Sequence, residues 1–271
     1  MVIIPVPYDS TTPYLPGTRR GPLAIIEAST HMELFDEELK KETFRIGIHT
    51  MDQLEITAAG PEQMVERVSS VVRSCLKEGK FPVMIGGEHS LTFGAVKPLK
   101  ERHEDLSVLQ LDAHADLREE YQGTPYSHAS VGRRMKELCP LVQAGVRSLS
   151  QEEWDFLPGS GVKTFFAPET RKKSGWIDDV VTSLTEKVYI TLDLDVFDPS
   201  IVPSVGTPEP GGLGWYEVLE LLRTVIIRKQ VVGIDVVELA PIPGNTAPDF
   251  LAAKLIYRMI GYWAEKTGIG G

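Results

Sequence analysis

Short apolar runs alternate with helix-patterned segments along most of the chain, and few folds accommodate that rhythm. Phe81 to Ile85, Leu106 to Leu111, Leu141 to Gly145, Lys163 to Phe166, Val188 to Leu192 and Val231 to Val237 are strand-length runs. Between them lie segments with the helical period. It is clearest over residues 61–80, where Met64, Val65, Val68, Val71, Val72, Cys75 and Leu76 share one face, with Pro61 near the start and Gly79 at the end. Further helices are predicted near His128 to Leu138 and Gln151 to Phe156, and over Trp176 to Leu184, Trp215 to Lys229 and Thr246 to Trp263. Runs that are apolar on both faces belong in a sheet covered on both sides. The expected fold is therefore α/β, with a mostly parallel sheet between two helical layers. The 271 residues contain no long linker, so residues 1–271 are read as one domain, and Gly206 to Gly214, rich in Pro and Gly, as a loop near the site.

Open α/β sheets bind ligands outside the carboxyl ends of their strands. Polar residues follow four of the predicted strands: His89 in Gly86-Gly-Glu-His89-Ser, the run Asp112-Ala-His114-Ala-Asp116, the pair Asp193-Leu-Asp195, and Glu238. On extended chain, positions i, i+2 and i+4 point the same way, so each run can face one site. A lone Asp-x-His or Asp-x-Asp at a strand end is more often a turn or a cap than a ligand, and what separates this chain is three such clusters together. His89, Asp112, His114, Asp116, Asp193 and Asp195 supply two imidazoles and four carboxylates without a thiolate. That set suits two divalent ions side by side, with manganese favoured and zinc, cobalt, nickel or iron as alternatives. Two such ions would clamp a water and acidify it, and hydrolysis is the natural use. His31, His49 and His103 have no such company and are read as structural or surface residues.

Charge bears on partners. The chain has 28 Lys and Arg against 38 Asp and Glu, a formal charge of -10, and no basic run that could follow a phosphate backbone. No nucleic-acid partner is expected. A cationic substrate would be attracted, although the acidic excess also serves plain solubility. Cys75 and Cys139 make neither a disulfide framework nor a metal pattern. The segment Val2-Ile-Ile-Pro-Val-Pro lacks the basic start and length of a signal or membrane span, so a cytoplasmic protein without a membrane partner is expected.

Three segments carry a resemblance: Ile85-Gly-Gly-Glu-His89-Ser-Leu-Thr, Leu111-Asp-Ala-His-Ala-Asp116, and Thr191-Leu-Asp-Leu-Asp195 continuing through Asp198-Pro199, Pro203 and Gly211-Gly212. Together they resemble the ureohydrolases, the arginase and agmatinase family, most of all prokaryotic agmatinases. The likeness runs from Pro7-Tyr-Asp9 and Pro16-Gly-Thr-Arg-Arg-Gly-Pro22 to Asp235-Val-Val-Glu238-Leu-Ala-Pro241 and Asn245-Thr-Ala. It implies a three-layer α/β/α arginase-like fold, two Mn²⁺ per chain, hydrolysis of a guanidinium group to urea and an amine, and a homotrimer or homohexamer. By resemblance, one ion takes His89, Asp112, Asp116 and Asp193, and the other Asp112, His114, Asp193 and Asp195, so Asp112 and Asp193 bridge. Asp116 accepts the proton of the bridging hydroxide, His128 relays a proton to the leaving amine, and Glu238 pairs with the guanidinium. Asp235 matches a position of the family whose role here is open.

Substrate choice rests on the segment Leu117-Arg-Glu-Glu-Tyr-Gln-Gly-Thr-Pro-Tyr126, which lacks the Asn and Ser with which arginases hold an amino-acid head. Glu119, Glu120 and Tyr121 suit a cationic amine, so agmatine, giving putrescine and urea, is expected. Arg118 either receives a carboxylate or pairs with a neighbouring glutamate. Aminopropyl-agmatine, guanidinobutyrate and arginine are the alternative substrates, and a non-catalytic polyamine- or metal-binding homologue is the alternative of another class. A mononuclear zinc deacetylase would leave His89, Asp116 and Asp195 without use. Two departures from the family pattern stand away from the ligands: Pro98, expected to shift only the following helix, and Ile26, at a position that bears on a subunit contact.

Overall fold

The computed structural model describes residues 1–12 and 14–269. Among the described residues ten strands form: β1 Val2–Val6, β2 Phe35–Asp36, β3 Lys41–Glu42, β4 His49–Thr50, β5 Pro82–Gly86, β6 Leu106–Leu111, β7 Leu141–Val146, β8 Lys163–Phe166, β9 Lys187–Asp193 and β10 Gln230–Val237. The helices are α1 Gly21–Ser29, α2 Pro61–Lys77, α3 Thr92–Arg102, α4 Val131–Leu138, α5 Gln151–Ser160, α6 Ala167–Thr170, α7 Trp176–Ser183, α8 Trp215–Arg228 and α9 Ala247–Thr267. Strands β2 and β3 make a small antiparallel hairpin. The other eight form one sheet in the order β4-β1-β5-β10-β9-β6-β7-β8, and every pairing in it is parallel.

Two apolar layers sandwich this sheet. Ile25 of α1, Val180 of α7, Leu222 of α8 and Leu255 of α9 pack on one face, and Met64 and Val68 of α2, Val96 of α3 and Met135 of α4 on the other. Burial on both sides is why the strands read as continuous apolar runs. The four middle strands, β5, β10, β9 and β6, are those whose carboxyl ends lead into His89, Glu238, Asp193 and Asp112. Because β5 and β6 lie on opposite sides of β9 and β10, the crossovers leave a crevice there.

Several elements escaped sequence reading. The segment Val2–Val6 is a strand, and α1, β4 and the hairpin had no clear pattern. Pro98 lies inside α3, not ahead of it. It removes the N–H that would bond the Gly94 carbonyl, and the buried Ser69 hydroxyl of α2 donates to that oxygen at 2.8 Å instead. Among the described residues no helix is long and apolar enough to cross a membrane, and both cysteines are free and buried.

Candidate metal centre and active site

Strand β6 ends at Leu111, and the extended chain continues with alternating side chains. Ala113, Ala115 and Leu117 point into the core at 0% exposure, which turns Asp112, His114 and Asp116 to the other side. His89 arrives from β5 through Gly86-Gly87. A Cβ on Gly87 would sit 2.0 Å from the Tyr8 carbonyl oxygen, so only glycine lets this turn pass that close to the chain following β1. Asp193 closes β9, and its Oδ1 accepts the Asp195 N–H at 2.9 Å, fixing the short turn that holds Asp195. Asp116 and Glu238 both have positive φ, 52° and 66°, a costly backbone for residues with a side chain and of the kind stored at functional sites.

These residues converge. Nδ1 of His89 lies 3.0 Å from Asp112 Oδ2, 3.2 Å from Asp116 Oδ2 and 3.4 Å from Asp193 Oδ2. Nδ1 of His114 lies 2.8 Å from Asp195 Oδ2 and 3.6 Å from Asp112 Oδ1. Ligand atoms of His89, Asp112 and Asp193 all fall within 4.8 Å of one another, as do those of Asp112, His114 and Asp195, so Asp112 belongs to both groups. His89 Nδ1 is buried without a hydrogen-bond partner although three carboxylate oxygens surround it. An unpaired imidazole nitrogen ringed by carboxylate oxygens suits a cation, and the oxygen and imidazole set fits two divalent ions.

The electrostatics agree. Burial, and then the charge of Asp112, pushes Asp116 up to about 8. Burial and then Asp195 raise Asp193 well above the carboxylate range. Burial opposes a charge on His89, but Asp112, Asp116 and Asp193 outweigh it and raise the imidazole. The cluster thus calls for positive charge, which a divalent ion supplies in place of protons.

Beneath the ligands runs a polar row that sequence reading missed except for Asp235. Thr164, Gln143, Gln110, Thr191 and Asp235 occupy matching registers on β8, β7, β6, β9 and β10. Thr164 Oγ1 donates to Gln143 Oε1 at 3.0 Å, Gln143 Nε2 to Gln110 Oε1 at 3.0 Å, and Gln110 Nε2 to Asp112 Oδ2 at 2.7 Å. Thr191 Oγ1 donates to Asp235 Oδ1 at 2.6 Å and accepts from His89 Nε2 at 2.9 Å, while Tyr189 OH donates to Asp235 Oδ2 at 2.7 Å. The row orients both His89 and Asp112. For Gln110 and Thr191 the available signal was a polar residue inside an apolar strand, two positions before a candidate ligand.

The cleft above the ligands is lined by Tyr14, Leu15, His128, Thr207 and Glu238 together with His89, His114, Asp116, Asp193 and Asp195. It continues past His114, Asp116 and His128 into a second compartment lined by Arg118, Tyr121, Ser150 and Glu153. Glu238 Oε1 accepts the His89 N–H at 2.6 Å, and burial followed by the charge of Glu88 raises its carboxyl well above the usual range. Burial, and then the positive charges of His114 and His89, lowers His128 to about 4. Tyr121 meets the His128 ring edge-on at 5.6 Å. Arg118 lies 5.3 Å over the Tyr121 ring and 4.0 Å from Glu153, not on an adjacent glutamate. Glu119 and Glu120 are a correction: neither lines the cleft. Glu119 pairs with Arg133 and Arg134 of α4 and is 56% exposed, and Glu120 is exposed. Both side chains are exposed to solvent just ahead of a tight turn closed between Tyr121 and Thr124. Arg147 was also missed. Its guanidinium donates to the carbonyls of Asp195 at 2.7 Å and Glu209 at 2.8 Å, tying the ligand turn to the loop that supplies Thr207.

Imidazoles and carboxylates gathered over the crevice of a parallel sheet form a candidate metal centre, of the kind that can hold divalent ions and activate water. The chain belongs to the arginase family, whose model matches residues 1–261. It is an amidine-hydrolysing enzyme of the agmatinase type with the three-layer arginase fold. It is 41% identical to the N(1)-aminopropylagmatine ureohydrolase of Synechocystis sp., covering 98% of this chain and 89% of that protein. It is 36% identical to the agmatinase of Pyrococcus horikoshii, covering 97% and 92%. The crystal structure of agmatine ureohydrolase of Thermoplasma volcanium matches with a TM-score of 0.90 at 33% identity, covering 98% of this chain and 90% of that one.

Proposed function

We propose that the chain releases urea from agmatine-type linear guanidino amines and turns over N(1)-aminopropylagmatine at least as efficiently as agmatine. The observation that carries this reading is the continuation of the cleft beyond His128 into the compartment of Tyr121, Ser150 and Glu153, which offers room for a tail longer than that of agmatine. The 41% identity to a relative named for the longer substrate supports it. His89, Asp112, Asp116 and Asp193 would hold one ion and Asp112, His114, Asp193 and Asp195 the other, with Mn²⁺ favoured by the oxygen-rich set. Bound there, the ions supply acidified water beside the guanidinium carbon.

The residues of the chain do the rest. Glu238 has no Lys or Arg partner among the described residues, and its burial makes an uncompensated charge costly. The planar guanidinium meets that need with paired N–H donors and is thereby oriented toward Asp116 and Asp193. Asp116 accepts the proton released as water adds to the guanidinium carbon. His128, neutral near pH 7, relays a proton to the amine nitrogen as its bond to carbon breaks, so urea and a protonated amine leave. The expected assembly is a homotrimer or homohexamer, which light scattering of the purified protein checks. Urea release from N(1)-aminopropylagmatine, agmatine, guanidinobutyrate and arginine tests the substrate. The reading requires kcat/KM for the longest amine to equal or exceed that for agmatine, with both carboxylates far behind. A preference for agmatine favours the shorter substrate, and a preference for arginine or guanidinobutyrate overturns the assignment of the tail site.

A further inference from the structure

Glu88 precedes the ligand His89, is fully buried, and touches none of the ligand atoms described above. Its carboxylate receives four donors: the Ser10 N–H at 2.5 Å, the Thr11 N–H at 2.7 Å, the Thr11 hydroxyl at 3.0 Å and the Ser90 hydroxyl at 2.5 Å. The Thr11 hydroxyl oxygen also lies 3.0 Å from His128 Nδ1 and accepts the His128 N–H at 3.1 Å. A hydroxyl has one proton and two lone pairs. Its proton goes to the Glu88 carboxylate, which accepts the Ser10 and Thr11 N–H groups and the Ser90 hydroxyl as well, and one lone pair takes the backbone N–H of His128. The remaining lone pair can meet Nδ1 only if that nitrogen carries the hydrogen.

We infer that Thr11, anchored by Glu88, is a positioning residue that locks His128 in the Nδ1–H tautomer and leaves Nε2 as the bare nitrogen available to the cleft. This rests on the relay role proposed for His128 and specifies which nitrogen performs it. An imidazole free of such a partner prefers the other tautomer, whose Nε2–H could not collect a proton before passing one on. Thr11 is separated from the cleft-lining Tyr14 by two positions, so the same contact registers the N-terminal segment against the relay.

Thr11→Val keeps the shape and removes the hydroxyl, whereas Thr11→Ser keeps the hydroxyl. Two readouts on the full chain test the inference: steady-state urea release with manganese, and ring-¹⁵N NMR of labelled histidine in the metal-free protein, with His128 assigned by its Asn variant. Thr11→Val is expected to lower kcat about tenfold, the size of one neutral hydrogen bond, with KM and manganese stoichiometry unchanged. Its His128 signals should move from the Nδ1–H toward the Nε2–H pattern, and Thr11→Ser should restore both. Retention of the Nδ1–H pattern in Thr11→Val, or a Thr11→Ser variant as impaired as Thr11→Val in both readouts, overturns the lock. Full urea release by His128→Asn instead overturns the relay reading, while the NMR shift in Thr11→Val still decides the tautomer.

Discussion

Thr191→Val separates the ligands from what holds them. The Thr191 hydroxyl sits between His89 Nε2 at 2.9 Å and Asp235 Oδ1 at 2.6 Å, with Thr191 and Asp235 at 0% exposure and His89 at 1%. Valine has the same shape but can neither donate nor accept. One buried N–H and one buried carboxylate oxygen lose a partner, each at about 1–3 kcal/mol. The Thr92 hydroxyl, 3.2 Å from Thr191 Oγ1, is near enough to recover part of this, so we expect a loss of about 2–4 kcal/mol in unfolding free energy. Urea denaturation of the metal-free protein measures it as a lower midpoint at unchanged slope. With its outer nitrogen unsupported, His89 should also bind an ion about 10–100-fold more weakly, read by titration calorimetry with manganese. Thr191→Ser should recover both. Wild-type midpoint and affinity in the valine variant would refute the claim that this hydroxyl orients the imidazole.

Asp193→Ala removes the carboxylate facing His89 Nδ1 at 3.4 Å, so bound manganese per chain should fall and urea release drop by orders of magnitude while circular dichroism stays native-like. Asp198 ties the loop beside the site. Its Oδ2 accepts the N–H groups of Gly211 and Gly212 at 2.9 and 3.1 Å, and Ser200 donates to Oδ1 at 2.6 Å. Hydrogen bonds from Ser200 lead those that depress its carboxyl from 3.8 to about 2. A depressed acid stabilises the folded chain above its unfolded value and loses that contribution as pH falls toward its folded value. Asp198→Asn should therefore show a lower Tm at pH 6, with the gap to wild type closing between about pH 4 and pH 2, whereas a gap constant over that range would place the stabilisation elsewhere.

Much of the fold was legible because burial on both faces leaves an apolar run wherever a central strand lies, so β5, β6, β7, β9 and β10 could be placed within a residue or two. The peripheral parts could not. β4 is two residues long and exposed, and the hairpin Phe35–Glu42 is anchored from elsewhere, through Asp36 and Glu38 on Arg258 of α9. Such a contact spans more than 200 residues and leaves no periodic trace. Proline misled as well: Pro98 reads as a helix boundary until Ser69, from the neighbouring helix, is seen filling the missing bond. Glu119 and Glu120 were misplaced because proximity in sequence to Asp116 was taken for proximity in space, whereas Glu119 is drawn to Arg133 and Arg134 of α4 and Glu120 faces solvent.

The candidate site divides along the same line. Its candidate ligands stood out because they stand where strands stop, and a polar residue there breaks an apolar run conspicuously. Their supports lie one layer down, where Gln143, Gln110, Thr191 and Asp235 each read as an isolated polar residue in a buried strand. Alone, each would cost stability, since a buried polar group without a partner forfeits its hydration. Parallel pairing removes that cost: Gln110 aligns with Gln143 and Thr191 with Asp235, each pair bonds side chain to side chain, and the register of β6 on β9 sets the two pairs next to each other. Register is a property of the assembled sheet and is absent from any single strand. Recognising the row from sequence would require placing β10 beside β9 and β9 beside β6, and those neighbours are 37 and 76 residues apart at their closest ends.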